Sequence, residues 1–241
     1  MKNTYKLLLL NLFAVSSLML ISSCYFGLDK LGPMTDEERN VPDFNKLKVS
    51  SGIDVKLTQS NRHQVIIKAN EDIIDDVESE VVNGTLKLTV DRNWFRGGAT
   101  VKAEITFVEL NSIDVSAGSD VESEGLLIFE DLEIEASAGS DLRLNLEAYS
   151  VKLRTSSGSD ANLKGAARDF EARASSGSDI SAYDFEVENA TLECSSGSDV
   201  KANVSRTMKV RASSGSDIHY RGNPDLLEVN TSSGADLIKV N

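Results

Sequence analysis

Five residues, Ser-Ser-Gly-Ser-Asp, stand at 156–160 and return at 175–179, 195–199 and 213–217. Close variants place the same glycine at Gly118, Gly139 and Gly234, so that Gly118, Gly139, Gly158, Gly177, Gly197, Gly215 and Gly234 follow one another at steps of 21, 19, 19, 20, 18 and 19 residues. Self-similarity at such a period is the mark of a solenoid, in which each unit buries its apolar face only by stacking on its neighbours. The flanks say which solenoid. Before the string apolar and polar residues alternate, as in Val151-Lys152-Leu153-Arg154-Thr155 and Met208-Lys209-Val210-Arg211-Ala212, and the alternation resumes after it in Leu142-Arg143-Leu144-Asn145-Leu146. Period two with one buried face means strands, and helical spacing does not recur.

The expected fold is therefore all-β: a right-handed parallel β-helix with about 19–20 residues per coil, each coil a strand, a Ser-Gly-Asp corner, a second strand and a variable polar loop. Stacked at about 4.8 Å, the coils from Gly118 to Gly234 would span roughly 29 Å. Phe44 to Val55 lines up with Leu110 to Val121 at an offset of 66, which adds Gly52 and Asp54 to the repeat and suggests three longer coils before it. Ile73, Ile74, Val77 and Val81 sit at helical spacing and predict a short helix over 71–81 that caps one end of the stack. The domain boundaries that follow are 43–241 for the β-helix, with longer coils over 43–109 and regular ones over 110–241, preceded by a tether over 24–42.

What precedes the tether is an export signal: Lys2 and Lys6, an apolar run from Leu7 to Leu20, then Ile21-Ser22-Ser23-Cys24. The run is too short and wrongly flanked for a membrane span. Aliphatic-x-small-Cys resembles the lipobox of bacterial lipoproteins, and the resemblance implies that 1–23 is removed and Cys24 carries the lipid. Several acyl chains, at roughly 0.8 kcal/mol per buried methylene, would hold the protein stably at a bilayer. Residues 1–23 contain two bases and no acid, so processing at Cys24 takes the net charge from −13 to −15. Such a surface is no partner for nucleic acid, which needs clustered Lys and Arg. Cys194 is then the second cysteine without a mate; it falls in a column of small residues (Val115, Ala136, Thr155, Ala174, Ala212, Thr231) and reads as a core filler.

Asp54, Asp120, Asp141, Asp160, Asp179, Asp199, Asp217 and Asp236 would form one column along the stack. Neighbouring charges about 4.8 Å apart repel by roughly 0.9 kcal/mol in water, so something must offset them. Three arrangements would do so: hydrogen bonds from backbone N–H and Ser groups, splaying into solvent, or a bound cation, for which calcium suits the oxygen ligands. The calcium roll, however, repeats every nine residues, whereas here one Asp serves about nineteen; capping of the turn is the favoured role, and no cofactor is expected. His63 and His219 stand in no metal-ligand spacing, and no phosphate loop or nucleophile elbow appears. The pattern is broken at Asp91-Arg92-Asn93-Trp94-Phe95-Arg96-Gly97-Gly98, where Trp94 and Phe95 between Arg92 and Arg96 could contact a sugar ring or a protein partner, or fold over the end of the coil.

Phe44-Asn45-Lys46-Leu47-Lys48-Val49-Ser50-Ser51-Gly52-Ile53-Asp54-Val55-Lys56-Leu57-Thr58-Gln59, followed by Val65 to Asn70, Val82 to Leu88 and the Ser-Gly-Ser-Asp coils, resembles the head GIN domain of auto-transporter adhesins, over about 43–241. The resemblance implies a secreted or lipid-anchored β-helical protein of Gram-negative bacteria and brings no catalytic residues with it. The expected function is a non-catalytic, lipid-anchored envelope module that binds a glycan or protein partner or mediates adhesion at the outer membrane, on its periplasmic or its outer face. The alternative is a carbohydrate-active protein that binds or cleaves polysaccharide.

Overall fold

The computed structural model describes residues 31–91 and 99–240. Strands carry almost all of it. In chain order they are β1 (Met34–Glu38), β2 (Lys46–Val49), β3 (Ile53–Gln59), β4 (Gln64–Asn70), β5 (Val77–Val82), β6 (Thr85–Val90), β7 (Val101–Phe107), β8 (Ser112–Val115), β9 (Asp120–Ser123) and β10 (Leu127–Ala136). Then come β11 (Asp141–Ser156), β12 (Asp160–Ser175), β13 (Asp179–Ser195), β14 (Asp199–Ser213), β15 (Asp217–Gly222), β16 (Asp225–Thr231) and β17 (Asp236–Lys239).

From β8 onward the chain is a parallel β-solenoid in which each coil pairs with the next over nearly its whole length. Asp141 to Ser156 lies on Asp160 to Ser175, which lies on Asp179 to Cys194 in turn. The long strands show why one sequence pattern serves two walls. In β11 Leu142, Leu144 and Leu146 are buried, and so are Val151, Leu153 and Thr155; the inward set changes from even to odd numbers across the exposed Tyr149. A strand whose inward parity flips must bend there, so each coil turns once at the Ser-Gly string and again near Tyr149 and Arg168, and both walls point their apolar residues at one core. This second bend keeps its strand pairing on either side (Ala148 on Ala167, Ser150 on Asp169). The variable loop expected on every coil is thus replaced, over β11 to β14, by paired strands whose ladder is broken only by bulges near Asn162–Lys164, Ala182–Glu186 and Val187–Asn189.

The N-terminal part departs further from expectation. Coil β2–β3 lies directly on coil β8–β9 in parallel, with Val49 beside Val115 and Asp54 beside Asp120, so the offset of 66 spans a single rung rather than three. On its other side β2–β3 is covered by β6 and β7, also parallel. Then the direction reverses: β4 pairs antiparallel with β7, β1 with β4, and β5 with β6. The stack is closed at this end by antiparallel strands, and 43–109 consists of two inserted rungs and their cover rather than longer coils.

The predicted helix over 71–81 is a single 3-10 turn, Ile74–Asp76, without a side-chain cap. Val77 and Val81 are four apart, a spacing that serves period two as well as period 3.6. The Asn83-Gly84 turn, with φ of 51° and 75°, settles the choice by folding β5 back onto β6 as a hairpin.

Candidate functional site

The repeated string forms the edge along which the two walls meet, and its residues divide the work. Ser157 and Gly158 both have positive φ, 56° and 68°, and the same pair of left-handed residues recurs at Ala117-Gly118, Ala138-Gly139, Ser176-Gly177, Ser196-Gly197, Ser214-Gly215 and Ser233-Gly234. Two successive left-handed residues make a type I′ turn, closed by the N–H of Ser119 donating to the Ser116 carbonyl at 3.3 Å. Positive φ was expected of the glycine; the residue before it shares the conformation. The serine after the glycine is fully buried at positions 119, 140, 159, 178, 198 and 216. Ser159 Oγ lies 2.8 Å from both the Ala136 carbonyl of the preceding coil and the Ser156 carbonyl of its own turn, which share its one proton, and accepts from Ser156 N–H at 3.1 Å. Ser198 does the same with Ala174 and Ser195. These hydroxyls tie coil to coil through backbone carbonyls, which is how a polar side chain can be buried at little cost.

Eight aspartates share one register: Asp54 beside Asp120, Asp120 beside Asp141, then Asp160, Asp179, Asp199, Asp217 and Asp236 in succession. Between most neighbours one carboxylate oxygen accepts the next coil's Asp N–H, at 3.2 Å from Asp179 to Asp160, 3.0 Å from Asp199 to Asp179 and 3.1 Å from Asp236 to Asp217. The column therefore caps the backbone one rung ahead. Among the described residues no cluster of His, Cys, Asp and Glu has the grouping of a metal site.

Asp120 carries the strain of this arrangement. Burial raises its carboxyl above the ordinary 3.8, the charges of Asp141 and Asp54 push the same way, and the bond from Asp141 N–H opposes them. The folded state thus holds this proton more tightly than the unfolded chain. Its contribution to stability is fully present below 3.8 and is lost as pH rises through the folded value. Asp120→Asn, whose amide oxygen can still accept the Asp141 N–H, is expected to have a higher urea midpoint than wild type at pH 7, with the gain gone at pH 3. A gain that is larger in acid contradicts the assignment.

Beside this edge runs a groove of about 660 Å³. Its floor is the first serine of each string, Ser137, Ser156, Ser175, Ser195, Ser213 and Ser232; its wall is the register column Asp114, Glu135, Arg154, Arg173, Glu193, Arg211 and Asn230. The wall is laced by ion pairs: Arg154 with Glu133 at 2.7 Å and Glu135 at 3.4 Å, Arg173 with Glu171 at 3.0 Å and Glu193 at 3.5 Å, Arg211 with Glu193 at 3.1 Å and Glu228 at 3.2 Å. Hydrogen bonds to Glu133 and Glu228 hold the guanidiniums of Arg154 and Arg211 more firmly charged. Exposed pairs of this kind add little stability. What they set is a line of charged side chains, one to a rung, with Asp114 and Glu135 followed by Arg154 and Arg173, then Glu193 and Arg211. The serines Ser137, Ser156, Ser175, Ser195 and Ser213 line the floor once per rung, at the same spacing.

Cys194 lies buried in the small-residue column, its thiol donating to Ser216 Oγ at 3.2 Å, and burial pushes its pKa up, away from the reactive thiolate. His63 packs on the Phe44 ring at 4.6 Å, far along the chain from His219, which stands on the outer surface between Lys201 and Ile238. Cys24 and the segment Arg92, Trp94, Phe95 and Arg96 lie outside the described residues. Sequence reasoning missed Gly165 and Gly222, which belong to no repeat yet take φ of 104° and 92° against the backbone of the neighbouring coil. It missed the groove as well, although the fourth residue before the glycine, Arg or Glu on five successive coils from Glu135 to Arg211, was there to be lined up.

The family model described as "Putative auto-transporter adhesin, head GIN domain" matches residues 43–224. Among solved structures, one of a putative adhesin from Bacteroides fragilis is similar at 19% identity with a TM-score of 0.82, covering 86% of this chain and 97% of that one. A putative lipid binding protein from Parabacteroides distasonis is similar at 15% identity and TM-score 0.70, covering 87% and 98%. A putative adhesin from the same organism is similar at 19% identity and TM-score 0.67, again covering 87% and 98%. At these identities the likeness is one of fold. No curated protein matches the sequence.

Proposed function

Because the chain belongs to the head GIN domain family of putative auto-transporter adhesins, we propose that it is a non-catalytic binding module of the cell envelope, held at the outer membrane by lipid on Cys24. Its ligand is an extended polar polymer, a polysaccharide strand, laid along the groove beside the serine edge. The observation that carries this reading is the recurrence, on each successive rung, of one charged side chain (Glu135, Arg154, Arg173, Glu193, Arg211) beside one serine (Ser137, Ser156, Ser175, Ser195, Ser213). The rung spacing of about 4.8 Å is comparable to the length of one pyranose residue in a chain, so a repeating ligand meets a repeating site. A local catalytic centre would need a nucleophile or acid and base converging at one place, whereas the carboxylates of the Asp column are engaged rung after rung with backbone N–H groups. The aromatic pair Trp94 and Phe95 is assigned as an auxiliary contact, since aromatic faces stack on sugar rings.

The test is a glycan panel presented to the full-length protein in detergent, read for both binding and product. Binding without turnover is expected, weakened at least tenfold by Arg173→Glu, which reverses the charge at the groove's centre; Trp94→Ala should weaken it less. Release of shortened oligosaccharides by the wild type would replace this reading with the carbohydrate-cleaving one. The anchor is checked in the same cells, where Cys24→Ala should move the protein from the membrane to the soluble fraction.

A further inference from the structure

The two ends of the solenoid are finished differently. At the β1 and β5 end the rungs are covered by antiparallel strands whose own outer edges carry acids: Asp36, Glu37 and Glu38 on β1, Glu78 and Glu80 on β5. Charges on an edge strand repel another strand of the same kind. At the other end, β16 pairs with β14 and β17 with β15, and among the described residues nothing pairs with their outer edges. Val229 stands in the same register as Val210, yet Val210 is 0% exposed and Val229 44%. Leu226 and Leu227 are 46% and 58% exposed, where Met208 one rung inward is 0%. These are core positions of a rung on which, among the described residues, no further rung is stacked, and no described strand pairs with its outer backbone donors and acceptors.

We propose that the β16–β17 end docks on the same end of a second copy of this chain, by a two-fold axis perpendicular to the stack. Three observations select this occupant. Turning a coil over reverses the sense in which its chain runs, so the edges of two copies meet antiparallel. The fold accepts that geometry, since β4 on β7 and β5 on β6 are antiparallel strands laid on parallel rungs. Second, β16 is self-complementary about Val229: with Val229 opposite its equivalent, Leu227 meets Thr231 and Glu228 meets Asn230 of the other copy. Glu228 already accepts a bond from the Asn230 amide within its own strand, at 2.8 Å, so the pair of groups is matched twice over across the axis. Third, the acid-edged cover at the opposite end blocks head-to-tail growth, so the association closes at two copies rather than forming a filament. One coil presents somewhat fewer residues than the roughly 20–30 a side of a standard interface. The dimer is accordingly reversible and depends on concentration.

The full-length protein in detergent is examined by sedimentation over a hundredfold range of concentration, alongside Leu227→Lys, Val229→Cys and Lys209→Cys. Opposed residues of an antiparallel pair have Cα atoms about 4.5–5.5 Å apart, inside the range a disulfide can bridge. Val229→Cys is therefore expected to give a disulfide-linked dimer on mild oxidation, and Lys209→Cys, one rung inward and paired on both sides, to give none. The wild type should shift from monomer to dimer mass with concentration, and Leu227→Lys should remain monomeric with an unchanged β circular dichroism spectrum. A wild-type monomer at every concentration overturns the proposal without reference to any variant. So does a Val229→Cys protein that stays unlinked while folded, or that links to a species of another mass.

Discussion

Gly165→Ala is expected to lower the urea midpoint of the fold far more than Gly158→Ala, seven residues earlier, which costs only about 1–2 kcal/mol. Both glycines have positive φ, 104° and 68°, and on that ground alone they look alike. What separates them is what a methyl group would meet. At Gly158 nothing lies within 4 Å of the added Cβ, because the string turns out into solvent. The neighbouring Ser157 already holds a left-handed conformation with a side chain attached. At Gly165 the Cβ would overlap the Leu146 carbonyl oxygen and lie 3.0 Å from its carbon. The obstacle is backbone, and it belongs to the adjoining rung. It can move only by opening the ladder in which Leu146 pairs with Gly165. Gly222 repeats the situation against Val204, with the carbonyl carbon at 2.9 Å. The expected loss at Gly165 is about 4 kcal/mol or more, at the extreme of single substitutions, and urea midpoints of the two alanine variants measure it. Equal midpoints would mean that the ladder yields at Leu146, and the tight stacking described above would not hold.

The contrast also shows what the sequence could and could not disclose. Gly158 is legible because the string recurs: seven copies at nearly equal steps announce a turn made once per coil, and the alternation beside them announces strands and names the buried columns. Cys194, Ala174 and Thr155 follow from counting. Gly165 recurs nowhere, so periodicity is blind to it, and only the register of neighbouring coils reveals the carbonyl in its way. The same limit explains the N-terminal part. The match of Phe44 to Val55 with Leu110 to Val121 is real and reflects direct stacking of β2–β3 on β8–β9. Sequence distance, however, carries no record that between them β4 and β5 run antiparallel to the rungs while β6 and β7 return to stack on the other side of β2–β3. The parity change at Tyr149 is likewise written in Leu142, Leu144 and Leu146 against Val151 and Leu153, but a polar loop between two strands would leave the same pattern. The groove is a property of columns. It becomes visible only when Arg154, Arg173 and Arg211 are stacked with their carboxylates, which requires the register to be known.

Phe185→Ala is expected to cost about 3–5 kcal/mol, toward the upper end of that range for a buried aromatic. Phe185 is 0% exposed and packs edge-on against Phe170, ring centres 5.5 Å apart at 80°. The rung beside it supplies Gly165 in the same register, which has no side chain to lean into the space. In most cores part of a cavity closes by relaxation; here one wall of the cavity is bare backbone already held in a ladder. The surrounding strand has little slack either, since β13 carries a bulge on this side where Ala182 and Glu186 pair with adjacent residues of β14. In a stack where each coil touches only its neighbours, weakening one rung weakens the coupling of everything on either side of it. Hydrogen exchange on Phe185→Ala should therefore show amides of β14 to β17 losing protection ahead of those of β2, β3 and β6 to β9, which are locked under the antiparallel cover. It should also reduce self-association through the β16 edge, although Phe185 lies two rungs away from it. Uniform loss of protection from β2 to β17 would instead make the solenoid a single cooperative body, and with it the β16 edge would be as firmly held as the core.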